Sequence, residues 1–109
     1  MLRRRRTRDP RYEVLIEEAQ PAVAAAIDVL RRMPYAELEA LRGLKMAIEW
    51  NAAGGETLCR DTQVYFDGGW EGDLRVTVDV WWPQDPHWIK RSLVLDDFIL
   101  EPDGSFVGE

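Results

Sequence analysis

A nine-residue run at positions 74–82, LRVTVDVWW, constrains the fold of this chain most, because its apolar and polar residues alternate almost without exception. Such alternation is typical of a β-strand with one buried face. It predicts that Leu74 and the even-numbered residues after it point into the core. Thr77, Asp79 and Trp81 are then predicted to point away from the core. The chain is therefore expected to contain a sheet with one core face and one outward face.

The sequence before this run has a helical period. Between Tyr12 and Met33, apolar residues recur three and four positions apart, which predicts an amphipathic helix over residues 11–33 that Pro21 kinks or divides. A second helix is predicted over residues 35–50, and the glycines that follow it are predicted to end it. The residues predicted to form its buried side are Leu38, Leu41, Leu44 and Ile48.

The sequence after the second predicted helix has the period and the turn residues of β-strands. Glycine, proline and aspartate clusters divide it into four predicted strands, at residues 62–66, 74–82, 89–100 and 105–107. In the third strand, Leu93 and Leu95 are out of phase with Phe98, so we predict a bulge at Asp96 and Asp97. Helices followed by strands indicate segregated layers. The expected fold class is α+β, with two N-terminal helical segments packed on one face of a four-stranded antiparallel β-meander.

This order of elements resembles several known folds. Helices followed by a four-strand meander over residues 12–109 look like cystatin-like and nuclear-transport-factor-like α+β folds, and like small acidic bacterial immunity proteins. The chain departs from the nuclear-transport-factor pattern in having few strands and no helix between them. The resemblance implies helices laid on a sheet and an immunity- or adaptor-like role, and it assigns no site residue.

Charge is distributed unevenly along the chain. The sequence has 14 basic and 20 acidic side chains, and residues 1–11 contain six of the arginines and one aspartate. Residues 12–109 therefore hold eight basic and 19 acidic side chains, a charge of about −11. We predict a basic arginine-rich tail over residues 1–11 and a single α+β domain over residues 12–109. The tail residues available to contact nucleic acid or another acidic surface are Arg3, Arg4, Arg5 and Arg6.

Several classes of protein are excluded by composition. Cys59 is the only cysteine, which rules out an internal disulfide and a cysteine-based zinc site and is typical of a cytoplasmic protein. The N-terminal arginines lack the apolar stretch of a signal peptide, and no segment reaches the roughly 18 apolar residues of a membrane span. An acidic domain repels phosphate groups. We expect a cytoplasmic protein without membrane contact, which meets nucleic acid only through its tail.

The sequence shows no arrangement of residues that identifies a reaction. His87 is the only histidine and lies in a loop near two prolines, and neither serine has the glycine-framed turn of a nucleophile. Carboxylates such as Asp79, Asp96 and Asp97 remain candidates for acid–base chemistry or for a divalent ion. Adjacent residues of a strand point to opposite faces, however, which separates Asp96 from Asp97. We therefore favour a protein without enzymatic activity, cofactor or metal.

The five tryptophans are the most informative feature of the composition. Trp81, Trp82 and Trp88 bracket one loop, and Trp81 is predicted to point outward beside carboxylates. An outward tryptophan is typical of a protein interface, because it buries a large area at a small entropic cost; packing within the molecule is the alternative. The leading hypothesis is a binding protein for a basic protein partner, such as a nuclease toxin, or for a second copy of itself. The residues predicted to bind the partner are Asp79, Trp81, Trp88 and Thr77.

Two other hypotheses remain open. One is a small-molecule-binding or lyase-like pocket between the helices and a curled sheet, since such pockets are concave and mostly apolar. Its predicted lining is Trp50, Trp70 and Trp82, with Asp79 or Asp97 as the polar group. The other is nucleic-acid binding by the arginine tail, which would depend strongly on salt.

Overall fold

The computed structural model describes residues 9–87 and 92–109, in which helices precede an antiparallel sheet. The elements are helix α1 (Pro10–Arg31), helix α2 (Tyr35–Glu39), and strands β1 (Met46–Asn51), β2 (Thr57–Phe66), β3 (Leu74–Trp81) and β4 (Val94–Leu100). The strands are neighbours in chain order, β1-β2-β3-β4. Helix α1 packs on β3 and β4, and α2 packs on β2 and β3. The predicted α+β class, with N-terminal helices on a four-stranded meander, is confirmed.

Helix α1 forms because its sequence provides both a cap and an apolar stripe. The carboxylate of Asp9 accepts a hydrogen bond of 3.0 Å from the backbone N–H of Arg11, and Pro10 occupies the first turn, where no N–H is needed. The helix runs through Pro21 without dividing in two, and Pro21 is exposed to solvent. Pro10 and Arg11, assigned to the predicted tail, thus begin α1. The buried stripe consists of Tyr12, Leu15, Ala19, Val23, Ala26, Ile27 and Leu30.

The prediction of a helix over residues 35–50 is wrong beyond Glu39. Gly43 takes a positive φ of 78°, which glycine adopts easily, and the chain then extends into β1. Leu38 is fully buried, as predicted. Leu44 and Ile48 are instead 54% and 50% exposed, because they no longer lie on a helix that faces the core. The second half of this segment is therefore an edge strand.

Strand β2 begins earlier than predicted because β1 supplies it with a partner. Met46 pairs with Thr62 and Trp50 with Leu58, so the strand includes Cys59, which we expected just before it. Strand β3 agrees with the prediction, since the core-facing residues from Leu74 to Val80 are buried and the alternating residues are half-buried.

Strand β4 differs from the prediction in its phase. Its pairing with β3 is continuous from Val94 to Leu100, so the predicted bulge at Asp96 and Asp97 is absent. Leu95 consequently lies on the side of the sheet away from the helices, where it is exposed. The predicted strand at residues 105–107 is reduced to a single bridge between Leu100 and Phe106.

Helix α1 is attached to the rest of the fold at both ends. At its start, the hydroxyl of Tyr12 donates a 2.6 Å hydrogen bond to the buried carboxylate of Asp85, and Nε2 of His87 lies 3.0 Å from Oδ2 of Asp9. At its end, Arg31 pairs with Glu109 and lies over the ring of Phe106. Within the described part of the chain, no helix is both long and apolar enough to cross a lipid bilayer.

Candidate functional site

The sheet has one face that none of the described helices covers, which we call the outer face. Because α1 and α2 pack on the inner face, the alternate residues of each strand are left pointing outward. The pairing of the strands places them in rows across the sheet. The outward residues are Ala47, Glu49, Asn51, Thr57, Cys59, Asp61, Gln63, Tyr65, Arg75, Thr77, Asp79, Trp81, Leu95, Asp97 and Ile99.

Two carboxylates lie side by side at the centre of the outer face. Asp61 of β2 pairs directly with Asp79 of β3, and these are the two inner strands of the sheet. Ala47 and Leu95 complete the same row on the edge strands. Like charges placed directly opposite each other destabilise a sheet. The Asp61–Asp79 pair therefore weakens the free protein, and a cation between the two side chains would relieve this.

Asp61 is held in place through both of its carboxylate oxygens. The indole N–H of Trp81 donates a 3.0 Å hydrogen bond to Oδ2, and Sγ of Cys59 lies 3.6 Å from Oδ1. The bond to Asp61 also fixes the half-buried Trp81 beside the carboxylate pair. Trp81 thus points outward as predicted, next to an acidic residue that we did not predict.

Asp79, by contrast, has an unsatisfied oxygen. Its Oδ1 atom is buried and has no hydrogen-bond partner among the described residues. A buried acceptor without a donor costs about 1–3 kcal/mol, and more when it is charged. An N–H group of another molecule would remove this cost once the Asp79 side chain turns to present this oxygen.

The negative charge of the outer face is concentrated around this pair. Its carboxylates are Glu49, Asp61, Asp79 and Asp97, and Arg75 is the one cation among the outward residues named above. Arg75 already binds Asp97 and, at 2.9 Å, Asp67. Hydrogen bonds to Asp67 and then to Asp97 raise the pKa of Arg75 further above its ordinary value. Arg75 therefore neutralises one end of the face and leaves the centre acidic.

The remaining predicted partner-binding residues are placed differently. Thr77 is half-buried on the outer face, in a row with Gln63 and Asp97. Trp88 lies outside the described residues. The tail arginines at positions 3–6 also lie outside them, so contact of the tail with nucleic acid stays a prediction.

The residues predicted to line a pocket do not come together. Trp50 and Trp82 are on the inner face, where Trp82 is buried and packs edge-on against Tyr12. Trp70 follows the short 3-10 turn Asp67–Gly69 and is 82% exposed. Asp97 lies on the outer face, with the sheet between it and the helices. These four side chains therefore form no common pocket.

Comparison with known proteins does not decide between these interpretations. No protein-family model, curated protein or solved structure matches this chain. The resemblance to cystatin-like and nuclear-transport-factor-like folds and to immunity proteins thus stays a prediction. An α+β architecture supports many unrelated functions, so the function has to be inferred from the side chains themselves.

In residues 9–87 and 92–109, no three or more histidine, cysteine, aspartate or glutamate side chains are grouped so that they could hold a metal ion. His87 is exposed and lies beside Asp9 at the start of α1, away from the Asp61–Asp79 pair on the outer face.

Cys59 is expected to react slowly in the folded protein. Burial raises the pKa of its thiol, and the adjacent carboxylate of Asp61 raises the pKa further. Because the thiolate is the reactive form, alkylation by iodoacetamide near pH 8 should be several-fold slower in the native protein than in urea. Asp61→Asn should accelerate the reaction of the native protein. Equal rates in the native and unfolded wild-type protein would contradict this placement of Cys59.

Proposed function

We propose that this protein is a non-enzymatic binding protein that docks a basic protein partner on its outer face. An arginine or lysine of the partner enters between Asp61 and Asp79, beside Trp81. The observation that carries the proposal is the direct pairing of these two carboxylates on a face that none of the described helices covers, with Oδ1 of Asp79 buried and without a partner among the described residues. An arrangement that weakens the free protein fits a site that is completed by binding.

The chemistry of the site favours a guanidinium group. Arginine presents several N–H donors in a flat fork, which matches carboxylate oxygens and leaves fewer of them unsatisfied. Asp61 is already oriented by Trp81 and Cys59, so less ordering is needed when the partner binds. Asp79 gains the donor that it lacks once its side chain turns toward the guanidinium.

The surroundings of the carboxylate pair suit a protein rather than a small ion. Leu95 and Tyr65 are exposed on the same face, and Trp81 is half-buried beside the pair. Interfaces commonly combine aromatic and apolar anchors with a few charged groups. A basic toxin or another nucleic-acid-binding protein would have the required charge, in keeping with an immunity- or adaptor-like role in the cytoplasm.

Asp79→Asn is expected to stabilise the free protein by about 0.2–1 kcal/mol, because it removes one of two like charges that face each other. The measurement is urea denaturation of the variant and the wild type at pH 7. Asp97→Asn is the matched control, since Asp97 lies on the same face but is paired with Arg75. That control should leave the free energy of unfolding unchanged or lower it. A less stable Asp79→Asn variant would show that the two carboxylates do not destabilise the fold by repelling each other.

Binding itself is tested by affinity capture from the organism that encodes the protein. The wild type and Glu17→Lys should recover the same basic protein, since Glu17 is exposed on α1, away from the outer face. Asp79→Lys makes the same charge change at the centre of the outer face and should abolish recovery. The captured protein should be released as salt is raised, because salt screens the attraction. Recovery by Asp79→Lys equal to that by Glu17→Lys would refute the proposal.

A further inference from the structure

A separate binding site is suggested on the inner face, where an open groove of about 470 Å³ runs between α1 and β1. Helix α1 lies over β3 and β4, so the inner side of β1 is only partly covered. Ala26 and Val29 form the helix wall, and Met46 and Ile48 form the strand wall. We call this space the α1–β1 groove. Its volume is in the range of small-molecule sites.

The walls of the α1–β1 groove are apolar and exposed to solvent. Val29 is 60% exposed, and Ile48, across the groove on β1, is 50% exposed. Exposed apolar surface that is gathered in one concave place usually marks a site where something binds. An apolar chain bound in the groove would therefore be shielded from water.

The charge of the groove is opposite to that of the protein. The whole sequence has a net charge of −6. Among the described residues, the only ionisable ones that line the groove are Lys45 and Arg60, and both are cations. Within the described part of the chain neither of them forms an ion pair.

Arg60 is the most specific feature of the groove. It lies on the inner side of β2, directly across from Ile48. Its Nε atom is buried and has no hydrogen-bond partner among the described residues. A buried cationic donor without an acceptor is unfavourable, and an anionic group on a ligand would satisfy it once the guanidinium turns into the groove.

The length of the groove argues against a helical peptide as its occupant. The helix wall at residues 25–30 is roughly 9 Å long, which is less than two turns of a helix. A helical peptide would therefore find only a short contact here. A second copy of the chain is also unsuitable, because a symmetric contact would bring Lys45 and Arg60 against the same cations of the other copy.

We propose that the α1–β1 groove binds a free fatty acid, with its carboxylate on Arg60 and its chain between Val29 and Ile48. Lys45, directly before β1, adds attraction for the same negative charge. This site lies on the other side of the sheet from Asp61 and Asp79. It can therefore exist whether or not the outer face binds a protein.

Isothermal titration with decanoate, kept below the concentration at which it forms micelles, tests the proposal. Decanoate should bind the full chain with a stoichiometry of one. Arg60→Gln should weaken binding by about 10- to 100-fold, the effect of losing a charge-assisted hydrogen bond. The matched control is Arg32→Gln, because Arg32 is exposed directly after α1 and pairs with Asp28 outside the groove. This control should bind like the wild type.

Two further measurements keep the result interpretable. Val29→Glu changes an exposed residue, so folding should be preserved while the new carboxylate repels decanoate from the groove. Decyltrimethylammonium has the same chain with a positive head group and should not bind saturably. Any of three results would overturn the proposal. Decanoate could fail to bind at one site, Arg60→Gln or Val29→Glu could bind decanoate as tightly as the wild type, or decyltrimethylammonium could bind as well as decanoate. Binding to anionic lipid vesicles without binding of decanoate would overturn it as well.

Discussion

Leu38→Ala is expected to lower the free energy of unfolding by about 3–5 kcal/mol, whereas Leu44→Ala should change it by less than about 0.5 kcal/mol. Leu38 is fully buried in α2, and Leu44 lies after Gly43 with more than half of its surface exposed. Removing a buried side chain forfeits its transfer free energy and leaves a cavity, but removing an exposed one does neither. Urea denaturation followed by circular dichroism measures both values.

This pair of variants also distinguishes the structure from the helix predicted over residues 35–50. A helix of that length would bury Leu38 and Leu44 on one side, and both substitutions would then be strongly destabilising. Comparable losses in the two variants would therefore contradict the break at Gly43 and the strand β1. A large loss for Leu38→Ala alone supports them.

Tyr12→Phe is expected to cost about 1.5–3 kcal/mol of stability, the range for a hydrogen bond to a charged group. The Tyr12 hydroxyl donates to Oδ2 of Asp85 at 2.6 Å, and the backbone N–H of His87 donates to the other oxygen at 2.9 Å. Because Asp85 is only 8% exposed, water cannot easily replace the lost hydroxyl. The same denaturation experiment measures the loss.

Tyr65→Phe is the control for this substitution. It removes the same hydroxyl from an exposed tyrosine of the outer face and should leave the free energy of unfolding nearly unchanged. A double-mutant cycle of Tyr12→Phe with Asp85→Asn isolates the energy of the pair. A Tyr12→Phe variant as stable as Tyr65→Phe would show that the Tyr12–Asp85 bond contributes nothing.

Two elements of the fold could be predicted from their periodicity. The alternation of residues 74–82 predicted both the strand and its core face, because polar and apolar positions there follow the strand period closely. The stripe from Tyr12 to Leu30 predicted α1 for the same reason. Pro21 is tolerated within α1 at an exposed position, which periodicity alone did not show.

The segment from Leu41 to Trp50 was mispredicted because its apolar residues fit two periods. Leu44 and Ile48 are four apart, as on a helix, while Met46, Ile48 and Trp50 alternate, as on a strand. Gly43 was the signal that decides between them, since glycine commonly ends a helix. Whether this segment forms a helix or a strand depends on its pairing with β2, which is a long-range contact that no local pattern contains.

The outer face could be predicted only in part. Asp79 and Trp81 were placed outward correctly because they belong to the well-defined alternation of β3. Asp61 was missed because the strand was expected to begin at Thr62, so its position opposite Asp79 could not be derived. Its spacing of two from Gln63 and four from Tyr65 was the available signal. The unpaired Nε of Arg60 depends on how α1 lies across the sheet, which no sequence pattern fixes.

The two attachments of α1 have a consequence for the order of events during synthesis. Helix α1 leaves the ribosome before the strands, but its ends are attached to Asp85 and His87 on one side and to Phe106 and Glu109 on the other. Its apolar stripe packs on β3 and β4, so it lacks its full set of partners until β4 has been translated. Such late, non-local docking slows folding and exposes apolar surface to aggregation. We expect nascent chains shortened before β4 to depend on chaperones.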